Sequence, residues 1–257
     1  MAAHPRSVTG RALALLAAFD ADHPRLSLSE LARRSGTPLT TTFRLVAELE
    51  QWRALDRQPD GRYAIGLRLW ELGRLAPVNT VLREAALPFL SDLYELTREN
   101  VHLAVRDGNA AVIVEKLTGH HAVSIVSRVG GRLPLHATGV GKALLASAPP
   151  EVRAGYLRGP LARCTPYTLA SPERLAHELA VVRDRGWART AEEMTLGSCS
   201  VAVPIAGPAG DAAAALGLVV HSVRRDLDKW VPALRRAAAG IAQRLASASA
   251  SPMVAAR

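Results

Sequence analysis

The chain has 257 residues, enough for one large domain or two modest ones, and aromatics make up only 4%, which leaves Leu, Val, Ile and Ala to fill its core. No apolar run reaches the ~20 residues that span a bilayer, Met1 to Arg6 is not followed by a compact apolar segment and a small-residue cleavage site, and Cys164 and Cys199 stand in no metal or redox spacing. A membrane protein, a secreted disulfide scaffold and a zinc module are set aside, no cofactor is expected, and a cytoplasmic location is expected. The formal charge of +9 is almost all arginine and favours polyanionic partners, yet residues 1–80 carry only +3 of it. Charge does not single out a nucleic-acid module, so the residue pattern has to.

Gly10 to Asp20 reads as a helix with Leu13, Leu16 and Ala17 on one face. A short helix follows through Leu28-Ser29-Glu30-Leu31-Ala32, with Ser27 or Ser29 as its cap and Gly36 as its stop. Thr37-Pro38 opens a third helix whose apolar stripe is Thr42, Leu45, Val46 and Leu49, with Thr40, Thr41, Arg44 and Glu48 opposite. Ala54–Arg57 and Arg62–Ile65 flank the turn Pro59-Asp60-Gly61 and read as a hairpin. Helix, short helix, turn, helix, hairpin is a winged helix-turn-helix.

Leu67 to Leu75 reads as a linker helix broken near Pro77, and Thr80 to Thr97 as a longer amphipathic helix. Strands are expected at 101–105, 111–114, 122–126, 200–205 and 215–221, and helices at 141–148, 172–185 and 231–246. Strands and helices mix without β-α-β alternation, which predicts an α+β domain with a mainly antiparallel sheet. The expected domains are 1–66 (DNA-binding), 67–79 (linker helix), 80–247 (effector-binding) and a disordered tail at 248–257.

The helix starting at Thr37 has what a major-groove reader needs. Thr40, Thr41 and Thr42 offer hydroxyls, and Arg44 can reach guanine bidentately or a phosphate. N–H groups at its N-terminus suit phosphate oxygens. Ser29 on the preceding helix, and Arg57, Arg62 and Tyr63 on the wing, complete the candidate DNA contacts. A solvated three-helix bundle is the plainer alternative.

Several further motifs occur in one order: Gly61-Arg62-Tyr63-Ala64-Ile65-Gly66, Leu133 to Gly139, Gly141 to Ala146, Thr165-Pro166, Arg185 to Ala188, Glu192-Glu193 and Gly197 to Pro204. With Leu28 to Ala32 and Pro38 to Leu45, they make the chain resemble the IclR-type bacterial transcriptional regulators over nearly its whole length. The resemblance implies a winged helix-turn-helix followed by a GAF-like effector-binding domain. It also implies dimers, or dimers of dimers, on palindromic double-stranded operators, repressing or activating with the promoter. The effector pocket it implies has N–H groups of Gly139 and Val140 for a carboxylate, with Thr190 at an often acidic position. Ser200 stands at a common cysteine, with Cys199 one place early. Gly217 and Val219 stand at two small polar positions, and Ile125, Leu133 and Ser198 complete the wall. Leu39 replaces a frequently basic residue. Fewer polar anchors predict a small organic effector larger or more apolar than a two- or three-carbon keto acid, a carboxylate with an apolar body.

Gly139-Val140-Gly141-Lys142-Ala143 fails as a phosphate loop, because His136 and Ala143 stand where glycine and Ser or Thr are required. Glu192-Glu193 suits a salt bridge or loop-ordering role better than acid–base chemistry. The scattered histidines, His102 and His136 among them, have no zinc spacing, and Ser198 and Ser200 lack a nucleophile elbow. The competing readings are a GAF-like enzyme with a vestigial helix-turn-helix and an architectural DNA-binding protein.

Overall fold

The computed structural model describes residues 7–119, 123, 126–207, 212–222 and 226–250, except the side chains of 79, 249 and 250. It divides into two compact units, Met1–Ala76 and Pro77–Arg257. The division falls inside the stretch expected as linker.

The first unit holds α1 (Val8–Leu16), α2 (Leu28–Ser35), α3 (Leu39–Gln51), a hairpin of β1 (Leu55–Arg57) and β2 (Tyr63–Ile65), and α4 (Leu67–Arg74). Of the two candidate caps of α2, Ser27 is the one used. Its hydroxyl accepts from Glu30 N–H while the Glu30 carboxylate accepts from Ser27 N–H, a reciprocal capping box. Gly36 closes the helix in the left-handed region at φ 65°, where a Cβ would be strained. Leu15, Leu26, Leu31, Leu45, Val46 and Leu55 form the small core. Leu26 pairs with Tyr63 as a bridge beside the hairpin, tying the wing to the start of α2.

The second unit begins with a π-helical turn (Val78–Arg83) that runs into α5 (Glu84–Thr97), so the expected linker is two helices separated at Ala76-Pro77. One six-stranded sheet follows, in the order β5-β4-β3-β8-β7-β6, from β3 (Asn100–Asp107), β4 (Ala110–Leu117), β5 (Arg132–Pro134), β6 (Ala188–Ala191), β7 (Ser198–Ala206) and β8 (Ala212–His221). Every pairing is antiparallel. The side-chain period of two divides the strands cleanly. Val101, Leu103, Val201, Val203, Leu216 and Leu218 face α5 and α9 (Val231–Ala250). Ala104, Ala202 and Ala215 face α6 (Gly139–Ala146), α7 (Pro150–Leu157) and α8 (Pro172–Arg185).

Three elements, β5, β6 and α7, are too short or too polar to stand out as periodic segments in the sequence. The strand expected at 122–126 falls largely outside the described residues, and Val123 and Val126 are not in a strand. Residues 248–250, expected in the tail, are helical because α9 continues to Ala250. No helix among the described residues is long and apolar enough to cross a membrane.

Candidate functional site

In the first unit the exposed face of α3 carries Leu39 (51% exposed), Thr40, Phe43 (64% exposed) and Arg44, with Thr41 half-buried. Pro38 caps the helix without a side-chain hydrogen bond, so the cap residue itself leaves the N-terminal N–H groups unoccupied. Among the described residues Arg44 makes a long i,i+4 contact of 4.0 Å to Glu48, and it stays exposed. Ser29 and Arg57 are exposed as well. Arg62 is exposed but tethered, its guanidinium donating to Glu30 Oε2 at 3.3 Å and Arg25 O at 3.4 Å.

Two expected contacts are corrected. Thr42 is fully buried, its hydroxyl donating to Thr37 O at 3.3 Å, because it lies on the same stripe as Leu45 and Val46. Tyr63 is 8% exposed and packs into the core, since the register that pairs it with Leu26 turns its ring inward. Phe43 was missed. Its signal was its absence from the core stripe 42, 45, 46, 49, which leaves an aromatic ring in water beside Arg44.

In the second unit a recess, partly open to solvent, lies between the sheet and the N-terminus of α6. Eight of the nine expected effector residues line it. Gly139 and Val140 come from α6, Leu133 from β5, Thr190 from β6, Ser198 and Ser200 from β7, and Gly217 and Val219 from β8. Ile125 lies outside the described residues. The lining among the described residues contains no Asp, Glu, Lys or Arg. Cys199, one place early, points to the opposite face and joins the core there, as strand alternation requires.

The polar geometry centres on Ser200. Its Oγ accepts from Gly139 N–H at 3.1 Å and lies 2.5 Å from Thr190 Oγ1. Thr138 Oγ1 accepts from Gly141 N–H at 3.1 Å. That leaves Val140 as the first-turn residue whose N–H is unengaged among the described residues. Gly139 is required by close approach, for a Cβ there would come within 2.6 Å of Ser200 Oγ. The positive end of α6 and its N–H groups make a favourable potential for an anion in a recess whose described lining holds no Asp, Glu, Lys or Arg.

Sequence reasoning also missed His102, which lines the recess from β3 and is 3% exposed. Its Nε2 lies 3.0 Å from Ser127 Oγ. Burial, reinforced by the nearby Lys116 charge, holds its pKa down at about 3 against the ordinary 6.5. Between those values the unfolded chain takes up a proton that the folded chain refuses. Stability present above pH 6.5 is therefore lost as pH falls. The unfolding free energy at pH 5 is expected to be about 2 kcal/mol below that at pH 7 through this residue alone. Burial also lowers His136, which adds in the same direction, and raises Glu193, which opposes. Urea denaturation at both pH values measures the drop, and His102→Phe should remove this residue's share of it.

Behind the recess the Lys142 ammonium donates to Glu193 Oε1 at 2.7 Å, both side chains being buried. Thr168 Oγ1 donates to Glu193 O at 2.7 Å and Thr165 Oγ1 to Glu192 O at 2.6 Å, which holds the loop after β6. The His136 ring bridges Tyr156 Oη at 2.8 Å and Ala162 O at 2.9 Å and sets the entry to α6. The lysine that imitates a phosphate loop in sequence is a buried ion-pair partner.

A winged helix-turn-helix followed by a sheet unit with a recess at a helix N-terminus defines a DNA-binding regulator of the ligand-sensing kind. Family models for the IclR helix-turn-helix domain and for the bacterial transcriptional regulator IclR C-terminal domain match residues 8–59 and 76–244. The chain belongs to the IclR family of bacterial transcriptional regulators. Among curated relatives it is 34% identical to the HTH-type transcriptional regulator XynR of Escherichia coli, over 84% of this chain and 86% of XynR. It is 32% identical to the repressor AllR of the same species, over 86% and 82%. A crystal structure of an IclR homolog from Microbacterium hydrocarbonoxydans, complexed with 4-hydroxybenzoate, is 36% identical, with a TM-score of 0.90 over 94% of this chain and all of that one. The IclR of Thermotoga maritima matches with a TM-score of 0.75 at 28% identity, over 92% of this chain and 98% of that one.

Proposed function

We propose that the protein is a cytoplasmic, effector-controlled regulator that binds palindromic operators as a homodimer or dimer of dimers. The exposed face of α3 reads the duplex through Thr40, Phe43 and Arg44, with Thr41 and backbone N–H groups on phosphates. Ser29, Arg57 and Arg62 flank it. The recess of the second unit takes a carboxylate with an apolar body, its anionic end at Val140 N–H and the Ser200–Thr190 hydroxyls.

The observation that carries this is that eight residues of the pocket implied by the family resemblance line one recess at the start of α6, whose described lining holds no Asp, Glu, Lys or Arg. The relative holding 4-hydroxybenzoate supports the same ligand class. The effector acts by differential affinity for two arrangements of the regulator. A coupling of about 1–3 kcal/mol changes operator affinity about 5–150-fold.

Selection of a duplex from a random pool by the full-length protein tests the DNA half, with an enriched two-fold symmetric sequence expected. Titration with 4-hydroxybenzoate, pyruvate and glyoxylate tests the other half. Tight binding of only the short keto acids would overturn the ligand class. Failure to enrich any duplex at ~150 mM salt would overturn the operator reading.

A further inference from the structure

His102 is a buried titratable group that the anion-binding end of the recess does not use. It stands on β3 directly opposite Gly217 of β8, and Gly217 in turn opposite Ala202 of β7. The Ser200–Gly139 contact is on β7, two strands away, about 10 Å across the sheet. Between the two lie Val219 and the bare Gly217, where a Cβ would come within 3.0 Å of Val140 Cγ1. The recess thus has a hydrogen-bonding end at α6, an apolar middle, and a second hydrogen-bonding end at His102.

That second end is held in place. Asn100, on the same face of β3, donates from Nδ2 to Val123 O at 3.0 Å. Lys116 donates to Ser127 O at 2.9 Å. With the His102–Ser127 contact, three hydrogen bonds tie Val123 and Ser127 to β3 and β4. Ser127 engages one ring nitrogen of His102, and Nδ1 has no partner among the described residues. A neutral imidazole in this position bears one proton. If Ser127 donates to Nε2, then Nδ1 donates outward, and if Nε2–H donates to Ser127, then Nδ1 accepts. A hydroxyl can both donate and accept, so it satisfies either tautomer. A methyl or a hydrogen satisfies neither and leaves a buried nitrogen unpaired.

Resting on the reading of the recess as the effector site, we infer that His102, positioned by Ser127, is the specificity-determining contact for an uncharged hydroxyl at the end of the effector remote from its carboxylate. The ligand class narrows from apolar carboxylates to hydroxylated ones.

Calorimetric titration of the full-length protein with 4-hydroxybenzoate, 4-methylbenzoate and benzoate tests this. The methyl compound keeps the shape and removes the hydrogen bond. 4-Hydroxybenzoate is expected to bind at least about tenfold tighter than either of the others. The preference is expected to fall below about threefold in His102→Phe and to narrow in Ser127→Ala. Should His102→Phe not fold, the wild-type comparison and Ser127→Ala still decide. Wild-type affinities for the hydroxyl and methyl compounds within threefold would overturn the role of His102 and leave the effector site standing. Binding of none of the three would overturn the effector reading itself, and this inference with it.

Discussion

Lys142→Met is expected to destabilise the protein by about 3–5 kcal/mol, because it strands the Glu193 carboxylate in the interior. For a chain of this size that is about 6–20 °C in Tm. Glu193 already has one unpartnered buried oxygen, and burial raises its pKa against the opposing pull of Lys142. Without the ammonium the folded state holds a proton on Glu193 more tightly than the unfolded chain does. The contribution of Glu193 to the variant's stability is therefore greatest at low pH and is lost as pH rises through the folded pKa. The deficit relative to wild type should accordingly be larger at pH 8 than at pH 5, measured by urea denaturation at both. The double variant Lys142→Met, Glu193→Leu should recover most of the loss, since a well-packed apolar pair replaces a buried ion pair at little cost. A single variant within 1 kcal/mol of wild type at pH 8 would show that the pair does not organise the back of α6.

Arg44→Glu should weaken binding to the selected operator at least about 100-fold at ~150 mM salt. A bidentate guanidinium contributes about 1–3 kcal/mol to base discrimination, a two-fold symmetric complex uses it twice, and reversal adds repulsion from phosphates. Arg44 is free to act because its nearest partner, Glu48, is 4.0 Å away and both are exposed. Arg106→Glu, on an exposed position of the second unit, changes net charge identically and should cost less than about threefold. Fluorescence anisotropy on a labelled duplex separates the two. Equal small losses would mean that only bulk charge matters, and the α3 reading would fall.

The winged helix was legible residue by residue, because its signals are local. A capping serine, a stop glycine, a 3.6-residue stripe and a Pro-Asp-Gly turn each act over a few residues. The same locality explains its errors. Thr42 satisfies both the polar rule for a groove contact and the periodicity rule for the core, and periodicity won. Tyr63 alternates correctly for a wing strand, but which face turns inward was set by its pairing with Leu26, 37 residues earlier. The effector residues came from resemblance to the family, and strand alternation then explains why Ser200 and not Cys199 reaches the recess.

His102, Ser127 and the Lys142–Glu193 pair were beyond such reasoning. Each depends on partners 25 or 51 residues apart that only the sheet order and the packing of α6 bring together. The order of residues along the chain determined most of the element types, the face proposed to read DNA and the family, through interactions reaching no further than a helical turn or a hairpin. Tertiary structure alone decided which polar groups are buried, what they pair with and which nitrogen of His102 remains available. Burial and low-dielectric pairing are properties of what surrounds a side chain in space, and one-dimensional spacing does not encode them.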